Sequence, residues 1–377
     1  MLSAYYLGQK GYKVTVIDQE PYPAMRTSYA NGGQVSVSNS EVWTTWGNVQ
    51  KGVKWMLTKD APLLVRPRLD YAMISWMTKF LFHTAKGSYR ANTEQTIKMG
   101  IESRKLYDQI CQEENIKFDR SDCGILHFYK DQKYWDHAQE VQSLYQSNGL
   151  EWDLLSDREM CAKDPALSGI SNVLGAAWTP SDWVGDIHKF CYELMTVLKQ
   201  NFNVEFMFNR PVTDGYLNIL KCQFDTVVIS AGVGSVKLAS ELRDQLDIYP
   251  VKGYSITINN VDPELLPKVS LLDDQAKIVT SSLGNRFRVA GTAELAGENY
   301  DIRRDRIDPL LKWVHTNFPK INTHDYTSWA CLRPMTPNMM PIVKRSSTNP
   351  NVYYNTGHGH LGWTLGAVTA KQLSDMI

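Results

Sequence analysis

The stretch that most constrains this chain lies near its C-terminus, where NVYYNTGHGHLGWTLGAVTAKQL runs from 351 to 373. VYY reads as a short apolar strand ending in a polar glycine turn, Asn355 to Gly359. Gly362, Trp363 and Thr364 then open an apolar run with helical spacing. A strand–glycine–helix unit aims backbone N–H groups and a positive helix end at one spot. That spot suits an electron-rich group: a phosphate, a carboxylate, or a flavin ring that gains negative charge on reduction. An ordinary strand-to-helix turn reads the same way, so this stretch alone leaves both open.

The first twenty residues carry the second signal. MLSAYYLGQKGYKVTVIDQE reads as a helix, a glycine turn and a strand. Leu2, Tyr6 and Leu7 form an apolar face, and Gly8 and Gly11 mark the helix end. VTVI at 14–17 is a β-branched run suited to a parallel strand buried on both faces. Asp18 follows directly. In a dinucleotide-binding βαβ unit, an acid at the end of the second strand accepts hydrogen bonds from the adenosine ribose. A solvated acid closing a strand is the other reading. The GxGxxG turn and first strand that should precede such a helix are not in this sequence. Completing the unit would take roughly a dozen or more residues. Two expectations follow: Met1 is an internal start or the sequence a fragment, or no nucleotide site exists here.

RTSYANGGQVS, residues 26–36, crowds small and amide residues around Gly32-Gly33. Such a loop permits unusual φ and close approach of backbone to a ligand. Ser28 and Asn31 can cap the turn or donate to phosphate and ribityl oxygens. Residues 41–115 read as mostly helical, with Trp43, Trp46, Trp55 and Trp76 among lysines. Met73, Ile74, Met77, Phe80 and Leu81 form a wide apolar stripe. Core is the favoured reading of that stripe over docking on a membrane surface. A longer helix is expected over 88–115. Residues 116–187 read as short strands with connectors. These include the strand CGILHFY at 123–129, a helix AQEVQSLYQSNG at 138–149, a capping box from Ser156 to Glu159, and Asp186 as a helix N-cap.

VEFMFNRPVT (204–213) and FDTVVISAG (224–232) read as two strands. The second ends in Ala231-Gly232, where a bulky side chain would block a ligand at the strand's carboxyl end. Val212 is a candidate adenine-side contact. YPVKGYSITI (249–258) starts a second sheet, with three further strands turning at Asp273-Asp274 and at Leu283-Gly284-Asn285. RRDRIDPLLKWVHTNF forms an amphipathic helix. The fold class expected is therefore α/β and α+β. A discontinuous Rossmann-like nucleotide domain, incomplete at its N-terminus, takes 1–40, 188–235 and 328–377. An antiparallel-sheet substrate domain with a helical insertion takes 41–187 and 236–327.

A chain of 377 residues can bury a sizeable core. Lys+Arg and Asp+Glu both number 40, so no global field draws it to nucleic acid. The six cysteines include no CxxC pair, so neither zinc nor a disulfide framework is indicated. The eight histidines show no HExxH-like spacing, and no metal is expected. No membrane span or signal peptide is read, and a reducing, cytoplasmic compartment is the default.

YYLGQKGYKVTVID, RTSYANGGQVS, VKWMLTKDAPLLV, VVISAG, YPVKGYSITI, LRPMTPNMMPIV and NTGHGHLGWT occur in order across nearly the whole chain. In these stretches the sequence resembles the FAD-dependent family that holds D-amino-acid dehydrogenase, glycine oxidase and D-amino-acid oxidase. It departs from that family in the absent GxGxxG strand-turn and in a helix that stops at Ile377. The resemblance implies FAD as cofactor and oxidative deamination of D-amino acids, by hydride transfer from the substrate Cα to FAD, giving a 2-oxo acid and ammonia. It implies that Asp18 holds the adenosine ribose, and that Ser28, Ala30, Asn31 and Gly32 lie along the pyrophosphate and ribityl chain. Val212 would touch the adenine side, and Ala231 and Gly232 would pack under the cofactor. Gly357, His358, Gly359, Leu361, Gly362, Trp363 and Thr364 would wrap the isoalloxazine. Arg333, in LRPMT, would grip the substrate carboxylate through two parallel charge-assisted hydrogen bonds. Read without the resemblance, it is a surface arginine in a loop. Tyr254 and His358 are candidate polar contacts at the reacting centre. The family's dehydrogenases pass electrons to a respiratory-chain quinone and its oxidases to oxygen; peripheral contact with the inner membrane is the matching expectation. The alternative is a degenerate or truncated member that no longer binds FAD and acts as a non-catalytic binding protein.

Overall fold

β-Branched runs and glycine turns at both ends of the chain supply strands that pair in parallel with mid-chain partners. The computed structural model describes residues 1–56, 62–66, 70–213 and 215–377, leaving aside the Met56 side chain. Residues 57–61 of the VKWMLTKDAPLLV motif lie outside them. Helix α1 (Leu2–Gln9) ends at Gly11, whose φ of 84° reverses the chain into strand β1 (Thr15–Ile17). β1 pairs in parallel with β2 (Glu205–Met207), far shorter than the 204–213 strand expected. Strand β3 (Val227–Ile229) pairs in parallel with Val352–Thr356, which pairs antiparallel with Ile342–Arg345. β1 is only half-buried rather than buried on both faces, because it pairs on one side and lines the central cavity.

The second layer is one nine-stranded sheet. Near one edge of it, β4 (Tyr249–Ile258) is flanked antiparallel by β5 (Arg286–Leu295) and by the edge strand β6 (Tyr326–Met335). Short strands of the 116–187 region join the same sheet, with Ile125–Tyr129 paired in parallel with Ser270–Asp273 and antiparallel with Gly175–Thr179, while Trp183–Val184 pairs separately with Gln34–Val35. YPVKGYSITI thus stands in a sheet separate from β2 and β3, as expected, and that sheet also takes in strands from earlier in the chain. LRPM lies within β6, so Arg333 stands on a strand and not in a loop. Helix Arg304–Asn317 covers one face, burying Ile307, Leu310 and Val314 against Tyr254, Ile256 and Val289.

Helix α2 (Tyr71–Ala85) divides its apolar residues between two environments. Met73, Trp76 and Met77 pack with Tyr249, Val251 and Met335. Ile74 and Leu81 do not join that core; they are 55% and 42% exposed. Helix α3 (Tyr89–Glu114) matches the 88–115 expectation. The 138–149 helix is instead two, Gln132–Glu140 and Gln142–Ser147, breaking at Val141. The Ser156–Glu159 capping box and the Asp186 N-cap form as read. Helix α4 (Gly362–Met376) packs on α3, where the Tyr107 hydroxyl donates to Trp363 O at 2.8 Å.

Candidate active site

The two layers meet at a cavity of about 2530 Å³. Sites for drug-sized ligands span about 300–1,000 Å³, so this one has room for a dinucleotide together with a small substrate. Its wall is built from segments remote in sequence.

At one end β1 delivers Asp18 to the cavity. The strand geometry holds, since Asp18 N donates to Met207 O at 3.0 Å and Arg210 N donates to Asp18 O at 2.9 Å. Burial raises the carboxyl pKa, while the Glu20 amide, donating to Oδ1 at 2.9 Å, favours the charged form. Ser28, Ala30, Asn31 and Gly32 line the next part of the wall, with Val212, Ala231 and Gly232. Asn31 Oδ1 accepts from Gly33 N at 2.9 Å, which closes the loop as an Asx turn. Ser255 and Ser281 hydroxyls donate to Ala30 O and Gly32 O, both at 2.6 Å, pinning the loop onto the large sheet. A Cβ placed on Gly232 would meet no heavy atom within 4 Å, so its backbone borders open space.

At the other end the C-terminal turn closes the wall. Gly359, Leu361, Gly362, Trp363 and Thr364 all line the cavity. Gly357 does not: its would-be Cβ meets Thr336 Cγ2 at 2.9 Å, so that glycine serves close packing. α4 begins with no side-chain cap, leaving its first-turn N–H groups open at the cavity. Trp363 Nε1 and Asn355 Oδ1 are buried without a hydrogen-bond partner. These orphaned polar atoms, the uncapped helix end and the open space at Gly232 fit a long group with a polar chain and an electron-accepting ring, as FAD is.

Arg333 emerges from β6 into the cavity wall. Burial pulls its pKa down to about 10. Its one hydrogen bond is Nη1 donating to Thr292 O at 3.2 Å, and no carboxylate pairs with it among the described residues. A half-buried guanidinium without an acidic partner among the described residues is poorly compensated until an anion arrives.

Tyr254 and His358, the two expected polar contacts at the reacting centre, both line the cavity, and each has its polar atom bonded within the protein. The Tyr254 hydroxyl donates to buried Glu294, which also pairs with buried Lys252 at 3.3 Å, and its ring joins the core under helix Arg304–Asn317. His358 Nε2 is bonded to Thr369 Oγ1 at 2.9 Å; burial depresses its pKa to about 4. Both side chains thus border the cavity while their polar atoms bond to neighbours in the fold. His360, which sequence reasoning passed over, stacks on Trp43 with centroids 4.8 Å apart and lines the cavity. Burial, with Arg333 nearby, lowers its pKa to about 4, so its ring is neutral near pH 7. Its position two residues after His358 in GHGH was the available signal. Trp43 could not be matched to it, because that contact joins distant parts of the chain.

The family described as DAO, FAD dependent oxidoreductase, matches residues 1–376. A relative named D-amino acid dehydrogenase 3, from Mesorhizobium japonicum, is 44% identical over 100% of this chain and 93% of its own. Another, named D-amino acid dehydrogenase, from Dechloromonas aromatica, is 35% identical over 100% of this chain and 93% of its own. Among solved structures, glycine oxidase from Geobacillus kaustophilus superposes with a TM-score of 0.73 at 14% identity, covering 100% of this chain and 91% of that one. Glycine oxidase from Bacillus cereus gives 0.71 at 16% identity, with the same coverage.

Proposed function

The chain belongs to the DAO family of FAD-dependent oxidoreductases, and from that membership we propose that it oxidises D-amino acids to 2-oxo acids and ammonia. The relatives named D-amino acid dehydrogenase, alike over the whole of this chain, support that substrate class. The observation that carries the reading is Arg333, a guanidinium in the cavity wall whose protein partner is a single carbonyl.

Bound FAD supplies the two-electron acceptor for the substrate Cα–H bond. On this reading Asp18 and the 28–32 loop hold its nucleotide half, and the 359–364 turn holds the ring. Segments 1–40, 188–235 and 328–377 are the expected cofactor domain and 41–187 and 236–327 the expected substrate side; β6, which pairs into the nine-stranded sheet, brings Arg333 across to the substrate. Arg333 takes the substrate carboxylate by two parallel N–H···O bonds, which fixes the position of Cα. The uncapped N-terminus of α4 would face the ring and would favour negative charge there. Trp43 and His360 close the substrate side with stacked aromatic rings, the histidine held neutral by burial.

The electron acceptor on this reading is a membrane quinone, with the protein peripheral on the cytoplasmic face of the inner membrane. Tyr71, Ile74, Leu81 and Phe82 lie along one side of α2 and are exposed, with Trp46 and Val53 exposed on helix Trp46–Met56. No helix among the described residues is long and apolar enough to cross a membrane. Co-sedimentation with anionic liposomes at low salt tests this contact, and protein left wholly in the supernatant counts against it.

For the reaction, protein reconstituted with FAD is given D- or L-amino acids and a dye acceptor. Release of 2-oxo acid and ammonia from D-isomers alone is expected. Equal rates with both isomers, or none with either despite a full flavin absorbance band, would refute the proposal.

A further inference from the structure

The direction of the Arg333 side chain is set by an irregularity in the sheet; this inference rests on the reading of Arg333 as the carboxylate anchor. Between β4 and β5 the pairing runs Tyr254 with Gly291 and then Lys252 with Glu294. Gly253 therefore faces two residues, Thr292 and Ala293, which is a β-bulge. Bulges bend a strand and re-aim what it carries.

Thr292 has a φ of 56°. For a β-branched residue that region is a genuine outlier. Its side chain offers no compensation, since Oγ1 is buried without a partner. What the backbone does present is the Thr292 carbonyl, which accepts from Arg333 Nη1. A costly conformation that persists is one the surroundings impose, and such residues gather at functional sites.

Gly253 completes the arrangement from the neighbouring strand. A Cβ there would stand 2.3 Å from Arg333 Cζ and Nη2, and 2.6 Å from Nη1. Its φ lies outside the left-handed region, so the backbone itself would accept another residue. All three of the atoms nearest that Cβ belong to the guanidinium. Lys252 and Tyr254 both reach Glu294 from the opposite face of β4, and this keeps the Arg333 face free of competing carboxylate.

We propose that the β4–β5 bulge is the seat of the substrate-anchoring guanidinium. Gly253 opens its space, the Thr292 carbonyl sets its direction, and both are positioning residues for the substrate carboxylate. Free in the cavity, an arginine side chain would spread over many rotamers and lose that ordering entropy on each binding event. Seated, it meets the carboxylate already oriented.

The test is a double-mutant cycle on FAD-loaded protein with Gly253→Ala, Arg333→Met and the pair. The readouts are KM and kcat for a D-amino acid, the calorimetric Kd of pyruvate, and the urea unfolding midpoint. Pyruvate carries the carboxylate without an oxidisable amine. Gly253→Ala should raise KM and the pyruvate Kd about tenfold or more, and add less than about twofold once Arg333 is already Met. If Gly253→Ala lowers the unfolding midpoint, the Arg333→Met background should restore it. A Gly253→Ala protein with unchanged KM and Kd overturns the proposal. So does an effect, on binding or on the midpoint, that persists in full without the guanidinium. Arg333→Met leaving KM and Kd unchanged is a separate outcome: it removes the anchor reading itself.

Discussion

Replacing Arg333 by Met should pull affinity and stability in opposite directions, and the structure says by how much. Methionine keeps much of the side-chain length and removes the charge. In the ligand-free protein the guanidinium has the Thr292 carbonyl as its hydrogen-bond acceptor, and burial already depresses its pKa to about 10. Removing a charge held there without an acidic partner should leave stability unchanged or raise it, by up to about 1–4 kcal/mol if the site behaves like buried ionic groups replaced by apolar ones. Binding moves the other way. Truncating one partner of a buried, hydrogen-bonded charge pair costs about 2–5 kcal/mol. At about 1.4 kcal/mol per factor of ten, the Kd of a carboxylate ligand should rise by about 30-fold to about 4,000-fold. Calorimetric titration with pyruvate gives the first quantity and urea unfolding of the same preparations gives the second. A Kd within error of wild type would refute the anchoring argument. A clear fall in stability would refute the claim that the charge waits for an external partner, since only a group already compensated within the fold would be missed that way.

Asp18→Ala should weaken FAD binding by about tenfold or more, from loss of a charged hydrogen bond worth about 1.5–3 kcal/mol; quenching of flavin fluorescence on titrating apoprotein measures it, and an unchanged Kd would return Asp18 to a strand-closing role. Asp182→Ala should destabilise the fold by about 3–5 kcal/mol. That buried carboxylate accepts from Val37 N, Ser38 N and Arg104 Nη1 at 3.0, 2.9 and 2.7 Å, and a urea midpoint shifted by less than a quarter of that would show the network to be dispensable. Asp244 sets part of the acid limb of stability. Its burial would raise its pKa, but hydrogen bonds from Ser346, Ser347 and Tyr354 outweigh that and hold it at about 2. A depressed carboxyl contributes stability that is complete above its unfolded pKa of about 3.9 and is lost as pH falls through the folded value. Asp244→Asn should therefore flatten the stability profile between about pH 4 and about pH 2, as read by urea midpoints; an unaltered slope there would exclude the carboxylate as the titrating group.

The local features of this chain were legible because they follow from short-range sterics. Gly11 and Gly33 take left-handed φ where turns were read, Ser156 and Glu159 close their capping box, and Asn31 caps its own loop. The C-terminal strand, glycine turn and helix appear almost to the residue as Val352–Thr356 and Gly362–Met376. Each depends on residues within a few positions of one another, so the sequence carries the whole cause.

Site roles were harder, and Tyr254 shows why. It sits one residue from Gly253, yet a strand sends neighbours to opposite faces. Which face meets the cavity depends on Glu294 and on helix Arg304–Asn317, far along the chain. Arg333 read as a loop residue because its strand is defined by pairing with β4, whose Val251 stands opposite it. The α2 stripe carries one helical pattern, but only the packing of Tyr249, Val251 and Met335 decides that Met73 is buried while Ile74 is not.

Sequence by itself determined the elements, the turns and the family, because propensity, glycine geometry and motif order are written in consecutive residues. Tertiary structure alone decided that Arg333 has no carboxylate partner among the described residues, and that it lies against Gly253 with the Thr292 carbonyl as its acceptor. Burial and strand register are properties of pairs of residues distant in the chain, and no single stretch contains both members of such a pair.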